Sequence, residues 1–296
     1  SLVRAQRLEK GVEARHSVII RPMKNKTIAF IGGGNMGRSL IGGLIADGYP
    51  AAKLRVADPD IHKLKRLTAQ FGIEASANNR PSVSGAEVVV LAVKPLILKT
   101  VAMELAGSIA SHTLVISIAA GVRTSALQHW LGSTTPIVRA MPNTPALVSS
   151  GATALYAADK VTPAQREVAE NILRAVGLTL WVNDESLLDA VTAVSGSGPA
   201  YFFRLMEALE QAAEAQGLTP EQARILVVQT AFGAAKMALE SGKDPGDLRA
   251  QVTSPGGTTE RALRVLDEHG IERMIAEAVA LATLRAAELA DQFGEA

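Results

Sequence analysis

The 296-residue sequence contains no cysteine, no long hydrophobic run and almost no net charge. Without cysteine the chain has no disulfide, no thiol nucleophile and no thiolate metal ligand, and its composition fits a reducing compartment. The longest apolar runs, such as residues 88–93, are too short to span a bilayer, which requires about 20 residues. The formal net charge of +1 gives no electrostatic reason to expect nucleic acid or an anionic membrane as a partner.

The sequence also has few histidines, and residues 1–22 do not fit a targeting signal. The five histidines are scattered without the spacing of metal ligands, so we expect no metal. Residues 1–22 carry five Arg/Lys residues but no continuous apolar core, which is unlike a secretory signal. Glu9 and Glu13 argue against a mitochondrial presequence. We interpret residues 1–22 as a mobile N-terminal extension before a natural start at Met23, and expect a cytoplasmic protein.

A glycine-rich stretch organises the first half of the chain. The apolar run Ile28-Ala-Phe-Ile31 ends in Gly32, Gly34 and Gly37, which satisfy G-x-G-x-x-G, and apolar residues at helical spacing follow. The pattern predicts a strand, a tight turn and a helix whose N-terminus can bind a pyrophosphate. In a βαβ unit this arrangement favours dinucleotide binding over a purely structural turn.

Asp58 follows the predicted second strand, residues 54–57, about 20 residues after the glycines. Dinucleotide-binding folds place a carboxylate there to bind the adenosine ribose, where it would repel a 2′-phosphate. Alternatively, Asp58-Pro59 caps the next helix. Both interpretations stay open, and with them the choice between NADH and NADPH.

Three further apolar runs, residues 88–93, 114–118 and 137–140, predict buried parallel strands. Strands at 152–156 and 178–182, separated by an amphipathic helix, would complete the domain. The prediction is an α/β fold with an N-terminal Rossmann-type, doubly wound domain at residues 23–183. Ligand sites in such sheets lie in the loops beyond the carboxyl ends of the strands.

From residue 184 to the C-terminus the pattern is helical, with Ala/Leu-rich segments at 200–216, 220–240 and 272–293. Gly217, Gly242 and Gly270 punctuate these segments as helix ends. Residues 223–235 are apolar almost all round, and such a helix has to be buried on several faces. We therefore predict an all-helical C-terminal oligomerisation domain at 184–296, with partner subunits covering this helix. The alternative that the helix packs only on its own nucleotide-binding domain stays open.

A second unusual stretch is Val252-Thr-Ser-Pro-Gly-Gly-Thr-Thr259, followed by apolar residues at helical spacing. Its glycines and hydroxyls fit an anion-binding turn at a helix start. They fit a well-capped helix equally, because Ser, Thr and Gly are common before helices.

The motifs together carry a resemblance to a known family. They are Phe30-Ile-Gly-Gly-Gly-Asn-Met36, Ala92-Val-Lys-Pro95, Ser117-Ile-Ala-Ala-Gly121, Met141-Pro-Asn-Thr-Pro145, Asp189-Ala-Val-Thr-Ala-Val-Ser-Gly-Ser-Gly-Pro-Ala-Tyr201 and Val252-Thr-Ser-Pro-Gly-Gly-Thr-Thr259. In this order the sequence resembles pyrroline-5-carboxylate reductase, from Met23 to the C-terminus. The family performs the last step of proline synthesis.

The resemblance implies a set of site residues. Asp58 joins the implied NAD(P) site, whose other members are Ile31, Gly32, Gly33, Gly34, Asn35, Met36, Asn79, Ala92, Val93, Lys94, Pro95, Ile118, Ala119 and Ala120. The implied substrate-binding residues are Glu185, Gln251, Thr253, Ser254, Gly257, Thr258 and Thr259. Of these, Thr259 and Ser254 are the catalytic candidates, with the Thr259 hydroxyl on the ring nitrogen.

The same resemblance implies NADPH or NADH as the cofactor, 1-pyrroline-5-carboxylate as the substrate, and intertwined homodimers assembled into a decamer. Hydride reaches a protonated cyclic imine directly, so neither nucleophile nor metal is needed. Many relatives that prefer NADPH lack an acid at the position of Asp58. One alternative is a β-hydroxyacid-dehydrogenase-like oxidoreductase, although no lysine follows Gly196-Ser-Gly-Pro199 at the expected place. The other is a non-catalytic NAD(P)-binding regulator.

Overall fold

The computed structural model of the chain describes Met23 and residues 25–295. The expected N-terminal extension lies outside the described residues. These residues form two compact units. We call residues 23–197 with 280–295 the sheet unit, and residues 198–279 the helical unit.

The sheet unit contains eight strands in the order β3-β2-β1-β4-β5-β6-β7-β8. All neighbouring strands are parallel except β6 and β7, which are antiparallel. The first six strands follow the doubly wound order of a Rossmann fold, which confirms the predicted fold class. The strands are β1 Ile28–Ile31, β2 Leu54–Ala57, β3 Glu74–Ser76, β4 Val88–Leu91, β5 Leu114–Ser117, β6 Ile137–Met141, β7 Gly151–Ala157 and β8 Gly177–Trp181.

Helices cover both faces of this sheet. They are α1 Asn35–Ala46, α2 Ile61–Phe71, α3 Asn79–Val83, α4 Pro95–Leu105, α5 Thr124–Leu131, α6 Pro163–Arg174 and α7 Leu187–Val191. Short 3₁₀ turns occur at Ala51–Lys53 and Thr144–Val148, and a π-helical turn at Thr192–Gly196. None of the described helices is long and apolar enough to cross a membrane.

The pleat of β1 divides the core into two layers. Ile28 and Phe30 pack into one apolar cluster with Leu40 and Ile41 of α1. Ala29 and Ile31 point to the opposite cluster, which includes Leu98 of α4. Since successive side chains of a strand alternate between faces, a continuous apolar run is what a strand covered on both sides requires.

The helical unit begins with α8 Gly198–Ala215, α9 Pro220–Ser241, α10 Pro245–Gln251 and α11 Thr258–Glu268. The last helix, α12 Ile271–Glu295, crosses the unit boundary at residue 279. Gly217, Gly242 and Gly270 lie at helix ends with positive φ, as the sequence predicts. Of the described residues after Trp181, none lies in a strand.

Several details differ from the sequence predictions. The strand predicted at 88–93 ends at Leu91, because Lys94 is the N-cap of α4 and the chain must turn before it. The short strand β3 and the antiparallel pairing of β6 with β7 were not predicted. The domain boundary expected after residue 183 stays a prediction, and the compact units divide at residues 197 and 279.

Candidate functional site

The register of the sheet aligns the ends of its central strands. Ile31, the last residue of β1, is paired with Ala57 of β2 and with Leu91 of β4. Leu91 is in turn paired with Ser117 of β5. Because these strands are parallel, the loops that follow them leave the same edge of the sheet, where ligands bind in open α/β folds.

The glycines of the first loop have separate steric roles. Gly32 has φ +106°, and a Cβ there would lie 2.5 Å from the carbonyl oxygen of Ala92. A Cβ on Gly37 would lie 2.5 Å from the carbonyl oxygen of Gly32, so this glycine permits the close approach of helix and strand. Around Gly34, by contrast, no described atom lies within 4 Å of a Cβ position. The protein does not itself fill the space over Gly34.

That open space lies at the beginning of α1. Gly34 is the N-cap of the helix, and no side chain caps it. The free N–H groups of the first turn therefore need an acceptor from outside the helix, and the dipole favours an anion. The open space, the helix start and the missing side-chain cap fit the pyrophosphate of a dinucleotide.

Asp58 is 5% exposed and lies directly behind this loop. Its Oδ2 accepts a hydrogen bond of 2.8 Å from the N–H of Gly33, and its Oδ1 accepts one of 2.9 Å from the N–H of Asp60. The Lys63 ammonium lies 3.5 Å from the carboxylate. The carboxylate therefore holds the glycine-rich loop against the loop after β2.

The alternative that Asp58 caps the next helix is wrong. The N-cap of α2 is Asp60, whose side chain accepts from the N–H groups of His62 and Lys63. Asp58 lies two residues before Asp60, with Pro59 between them, and so does not occupy the capping position.

The loops after β4 and β5 bring the remaining cofactor candidates to the same edge. Lys94 is the N-cap of α4 and Pro95 begins it. Ala119 is buried, and its N–H bonds the Ser117 hydroxyl at 3.4 Å. Asn79, at the start of α3, donates a hydrogen bond of 2.8 Å to Glu104 of α4, so its amide nitrogen already has a protein partner.

Glu185 belongs to a buried polar cluster at this edge. Its carboxylate accepts from the N–H of Thr124 at 2.8 Å and from the Thr124 hydroxyl at 2.7 Å. It also pairs at 3.1 Å with the Arg139 guanidinium, which is 2% exposed on β6. Glu185 thus ties the start of α5 to β6, and its carboxylate is largely occupied by protein donors.

Asp189 completes this cluster. It lies 3.8 Å from Arg139 and 3.9 Å from Arg123, and Arg123 also pairs with Asp291 of α12 at 3.2 Å. Burial raises the pKa of the Asp189 carboxyl, against the opposing effect of the two guanidinium groups. The cluster anchors the end of α12 to the start of α5.

Asn143, between β6 and the 3₁₀ turn, joins three segments. Its amide nitrogen donates to the carbonyl of Ser195 at 3.0 Å, and its amide oxygen accepts from the N–H of Ala152 at 2.8 Å. Ser195 lies in the π-helical turn, a feature that occurs frequently at functional sites. Asn143 therefore holds that turn beside the end of β6.

The Ser254–Thr259 turn lies in the helical unit. The N–H of Gly257 donates to the carbonyl of Ser254 at 3.0 Å, and Gly257 is the N-cap of α11 without a side-chain capping bond. Gly256 has φ +74°, and its N–H donates to Glu260 at 2.8 Å. Within the described residues, the hydroxyls of Ser254, Thr258 and Thr259 have no protein partner. The turn therefore presents free hydroxyls at an uncapped helix start.

Two neighbouring candidates are already engaged. The hydroxyl of Thr253 donates to the carbonyl of Arg249 at 2.6 Å. The amide oxygen of Gln251 accepts from Lys243 at 3.2 Å. Neither is as free to bind a substrate as the hydroxyls that follow in the turn.

Sequence reasoning missed several residues of these arrangements. Arg139 is a lone charge in the apolar run Ile137-Val-Arg-Ala140, and a buried cation requires a carboxylate partner. That signal was present, although it could not identify Glu185 as the partner. The roles of Thr124 and Asn143 carry no local signal, because their partners are 61 and 52 residues away.

Two family models match the chain. Residues 27–121 match an NADP oxidoreductase family described as coenzyme F420-dependent, and residues 185–289 match the pyrroline-5-carboxylate reductase dimerisation domain. With the glycine-rich loop and the aligned strand ends, they define an NAD(P)-dependent oxidoreductase with a helical dimerisation domain.

Known proteins narrow this class. The chain is 50% identical over 273 residues to the pyrroline-5-carboxylate reductase of Pseudomonas aeruginosa, covering 92% of this chain and 100% of that protein. It is 42% identical to the Escherichia coli enzyme, covering 86% and 94%. The chain belongs to the pyrroline-5-carboxylate reductase family.

Solved structures agree. The reductase of Coxiella burnetii superposes with a TM-score of 0.86 at 47% identity, covering 89% of this chain and 98% of that one. The Plasmodium falciparum pyrroline carboxylate reductase, solved with NADP bound, gives 0.80 at 28% identity, covering 90% and 99%.

Proposed function

We propose that this protein reduces 1-pyrroline-5-carboxylate to L-proline with hydride from NADPH or NADH, as the last step of proline biosynthesis. The observation that carries this proposal is the open glycine-rich loop aligned with the loops after β4 and β5. The chain is 50% identical to a pyrroline-5-carboxylate reductase over the whole length of that protein, which supports 1-pyrroline-5-carboxylate as the substrate. Neither the hydroxyacid dehydrogenase nor the regulator alternative has comparable support.

The cofactor would bind along the aligned strand ends. In this proposal residues 31–36 hold the pyrophosphate, with the N–H groups of α1 as donors. Ala92, Val93, Lys94 and Pro95, with Ile118, Ala119 and Ala120, border the rest of the dinucleotide. Asp58 contributes through the Gly33 N–H that it fixes, and Asn79 through the start of α3.

The substrate would bind at the Ser254–Thr259 turn. A carboxylate needs donors, and the free N–H groups and hydroxyls at the start of α11 supply them without a basic patch. Ser254, Gly257 and Thr258 are assigned to the carboxylate, and Thr259 to the ring nitrogen. Gln251, Thr253 and Glu185 border the substrate as positioning residues, because the structure engages their side chains.

The residues need to perform little chemistry beyond positioning. The bound reduced nicotinamide supplies hydride to the imine carbon, while the ring nitrogen keeps its proton and becomes the amine. The protein holds the carboxylate, orients the ring and excludes water, which is catalysis by proximity. The ring nitrogen loses its positive charge as hydride arrives, and the strength of its hydrogen bond with the Thr259 hydroxyl changes with that charge. This hydrogen bond should therefore affect turnover as well as binding.

The helical unit would form a homodimer, and five dimers a decamer. In favour of the dimer, Ile225, Leu226 and Phe232 of α9 are each more than half exposed in the single chain. The decamer rests on the family resemblance alone. Sedimentation velocity would separate dimer from decamer, and a stable, active monomer would contradict both. The cytoplasmic location stays a prediction that cell fractionation can test.

The decisive experiment is an NADPH oxidation assay with 1-pyrroline-5-carboxylate, with proline identified as the product. A Gly34→Val variant supplies the loop control: its side chain would fill the open space over the loop without meeting a described protein atom at Cβ. Activity in the parent and loss of NADP⁺ binding in the variant would support the proposal. A parent that binds NADP⁺ but forms no proline would overturn it.

A further inference from the structure

The end of α12 packs on the loop after β5, residues 118–123. Ala286, Ala290 and Phe293 lie on one face of the helix, because residues three and four apart are neighbours on a helix surface. Both alanines are buried, and Phe293 packs against the apolar cluster that includes Ala119 of the loop. The end of α12 therefore belongs to the sheet unit by its packing.

The Phe293 ring lies against the backbone of Gly121. A Cβ on Gly121 would be 3.0 Å from Cδ2 of the ring and 3.3 Å from Cε2. It would also lie 3.6 Å from the backbone nitrogen of Ala290. The φ of Gly121 is +71°, a conformation that favours glycine. Any side chain at this position would therefore be strained and would push against the ring.

The two ends of this loop are held by hydrogen bonds within the sheet unit. The N–H of Ile118 donates to the carbonyl of Leu91 at 3.1 Å. At the other end, the N–H of Thr124 donates to the Glu185 carboxylate at 2.8 Å. The middle of the loop, which follows the cofactor candidates at residues 118–120, rests on the end of α12.

An ion pair adds a second contact between the loop and α12. Arg123, the N-cap residue of α5, pairs with Asp291 at 3.2 Å, but the Asp291 side chain is 68% exposed. Exposed ion pairs contribute little, because water screens them and both side chains must be ordered. The apolar contact of Phe293 is not screened in this way, so we expect it to dominate.

We propose that Phe293 is a positioning residue for the coenzyme, because it fixes the loop after β5 in the conformation that presents residues 118–120 to the dinucleotide. The inference rests on the proposed function, which assigns these residues to the NAD(P) site. Phe293 is not one of the assigned cofactor residues and acts through the backbone of Gly121. A looser loop weakens the binding of coenzyme equally before and during hydride transfer, so KM for NADPH should change and kcat should not.

The test is steady-state kinetics of the full-length protein with NADPH and 1-pyrroline-5-carboxylate, accompanied by thermal unfolding. Phe293→Ala should raise KM for NADPH by about fivefold to tenfold and leave kcat within about twofold of the parent. Phe293→Tyr keeps the ring and should return KM to within about twofold of the parent. A purely structural role would reduce the fraction of folded enzyme, which lowers the apparent kcat and leaves KM unchanged. That result would overturn the inference.

Gln292→Ala is the matched control. Gln292 precedes Phe293 on α12 and is exposed, so its KM for NADPH should stay within about twofold of the parent. Asp291→Asn removes the exposed ion pair and should also change KM by less than about twofold. Equal effects of Gln292→Ala and Phe293→Ala would overturn the inference, because they would reflect a general disturbance of the helix end.

A double-mutant cycle tests the contact itself. Gly121→Ala places a methyl group against the ring and should raise KM for NADPH by about tenfold. In the Phe293→Ala background only the backbone strain at φ +71° remains, so the two changes should be less than additive. Additive effects, or a parental KM in Phe293→Ala, would overturn the inference and leave the proposed function intact. A parent protein that oxidises no NADPH with the imine would overturn the proposed function itself.

Discussion

The sheet unit and the helical unit differ in how far their apolar side chains are buried within the single chain. In the sheet unit, strands such as β1, β4 and β5 are buried along their whole length between two layers of helices. Of the residues 198–279 in the helical unit, Gly198 and Ala223 are the only buried ones. The sheet unit completes its hydrophobic core within one chain, whereas the helical unit leaves many large apolar side chains exposed.

Because of this difference, we expect the sheet unit to be stable by itself and the helical unit to depend on subunit assembly. The sheet unit has the interior of an independent domain, and buried polar groups such as Arg139 and Asp58 find their partners within the unit. The helical unit has strong local signals, including a capping box at the start of α9, but little tertiary burial. Helices are stabilised in proteins mainly by packing an apolar face, so we expect the helical unit to pack against a second subunit.

The largest expected effect comes from breaking the exposed face of α9. Phe232 is 61% exposed. Phe232→Asp would place a charge where we expect a subunit interface, and desolvating it costs several kcal/mol. We expect loss of the dimer by light scattering and at least about a hundredfold loss of kcat/KM, with NADP⁺ binding by the sheet unit retained.

Glu240→Gln, a neutral change on the same helix at an exposed ion pair with Lys236, should leave the assembly intact. An intact dimer in Phe232→Asp would show that α9 is not the interface, and the comparison between the units would need another explanation.

The next effect lies within the sheet unit. Glu185→Gln removes the charge opposite Arg139, which is 2% exposed, and leaves a buried guanidinium poorly compensated. Breaking such a pair costs about 3 kcal/mol in the free energy of unfolding. Urea denaturation of Glu185→Gln, Arg139→Met and the double variant measures the coupling.

The double variant should be less destabilised than the sum of the two single changes. Additive losses would mean that the contact between Glu185 and Arg139 carries no coupling energy. A change in KM for the imine without a loss of stability would instead place Glu185 at the substrate, as the resemblance to the family implies.

Much of the sheet unit could be predicted from the sequence, because its signals are local. A continuous β-branched run such as Val88-Val-Val-Leu91, ending in small residues, specifies a buried strand and the loop beyond it. The positions of Gly32 and Gly37 follow from the same reasoning, and their steric contacts agree with it. The antiparallel β7 could not be predicted, because strand direction depends on pairing partners and not on composition.

The polar partners could not be predicted for the same reason. The position of Asp58 after β2 singles it out in the sequence, but the sequence could not show that its carboxylate accepts from Gly33, 25 residues earlier.

A smaller effect is expected from Thr259→Ala, which tests whether the Ser254–Thr259 turn acts in catalysis or only starts α11. Thr259→Ala removes a hydroxyl without a protein partner in the described residues, so its folding cost is small. We expect kcat/KM to fall by about tenfold, or about 1.4 kcal/mol, with NADPH affinity nearly unchanged. Thr68→Ala on α2, exposed and outside both sites, is the control.

A fully active Thr259→Ala enzyme would return the turn to a structural role in starting α11. So would a variant that fails only in binding the nucleotide.

Ser254→Ala should act more weakly, and mainly on KM. The Ser254 hydroxyl is assigned to the substrate carboxylate, an interaction equally present before and during hydride transfer, so its loss is uniform in ground and transition states. We expect KM for the imine to rise by about fivefold, from one hydrogen bond worth about 1 kcal/mol, with kcat unchanged. A fall in kcat alone would assign Ser254 to the reacting centre.

The smallest effect on coenzyme choice is expected at Asp58. Asp58→Asn keeps an acceptor for the Gly33 N–H but removes the charge, and Lys63 retains Asp60 at 3.9 Å. If the carboxylate supports the loop, NADH and NADPH should both bind about threefold to tenfold more weakly, from the loss of about one hydrogen bond. The ratio of their specificity constants should then change by less than about threefold. If the carboxylate instead bound the ribose, NADH affinity would fall while NADPH affinity rose, and the ratio would shift by about tenfold or more toward NADPH. Titrating both coenzymes into the parent and the variant separates these outcomes, because a loop defect weakens the two coenzymes together and a ribose contact moves them apart.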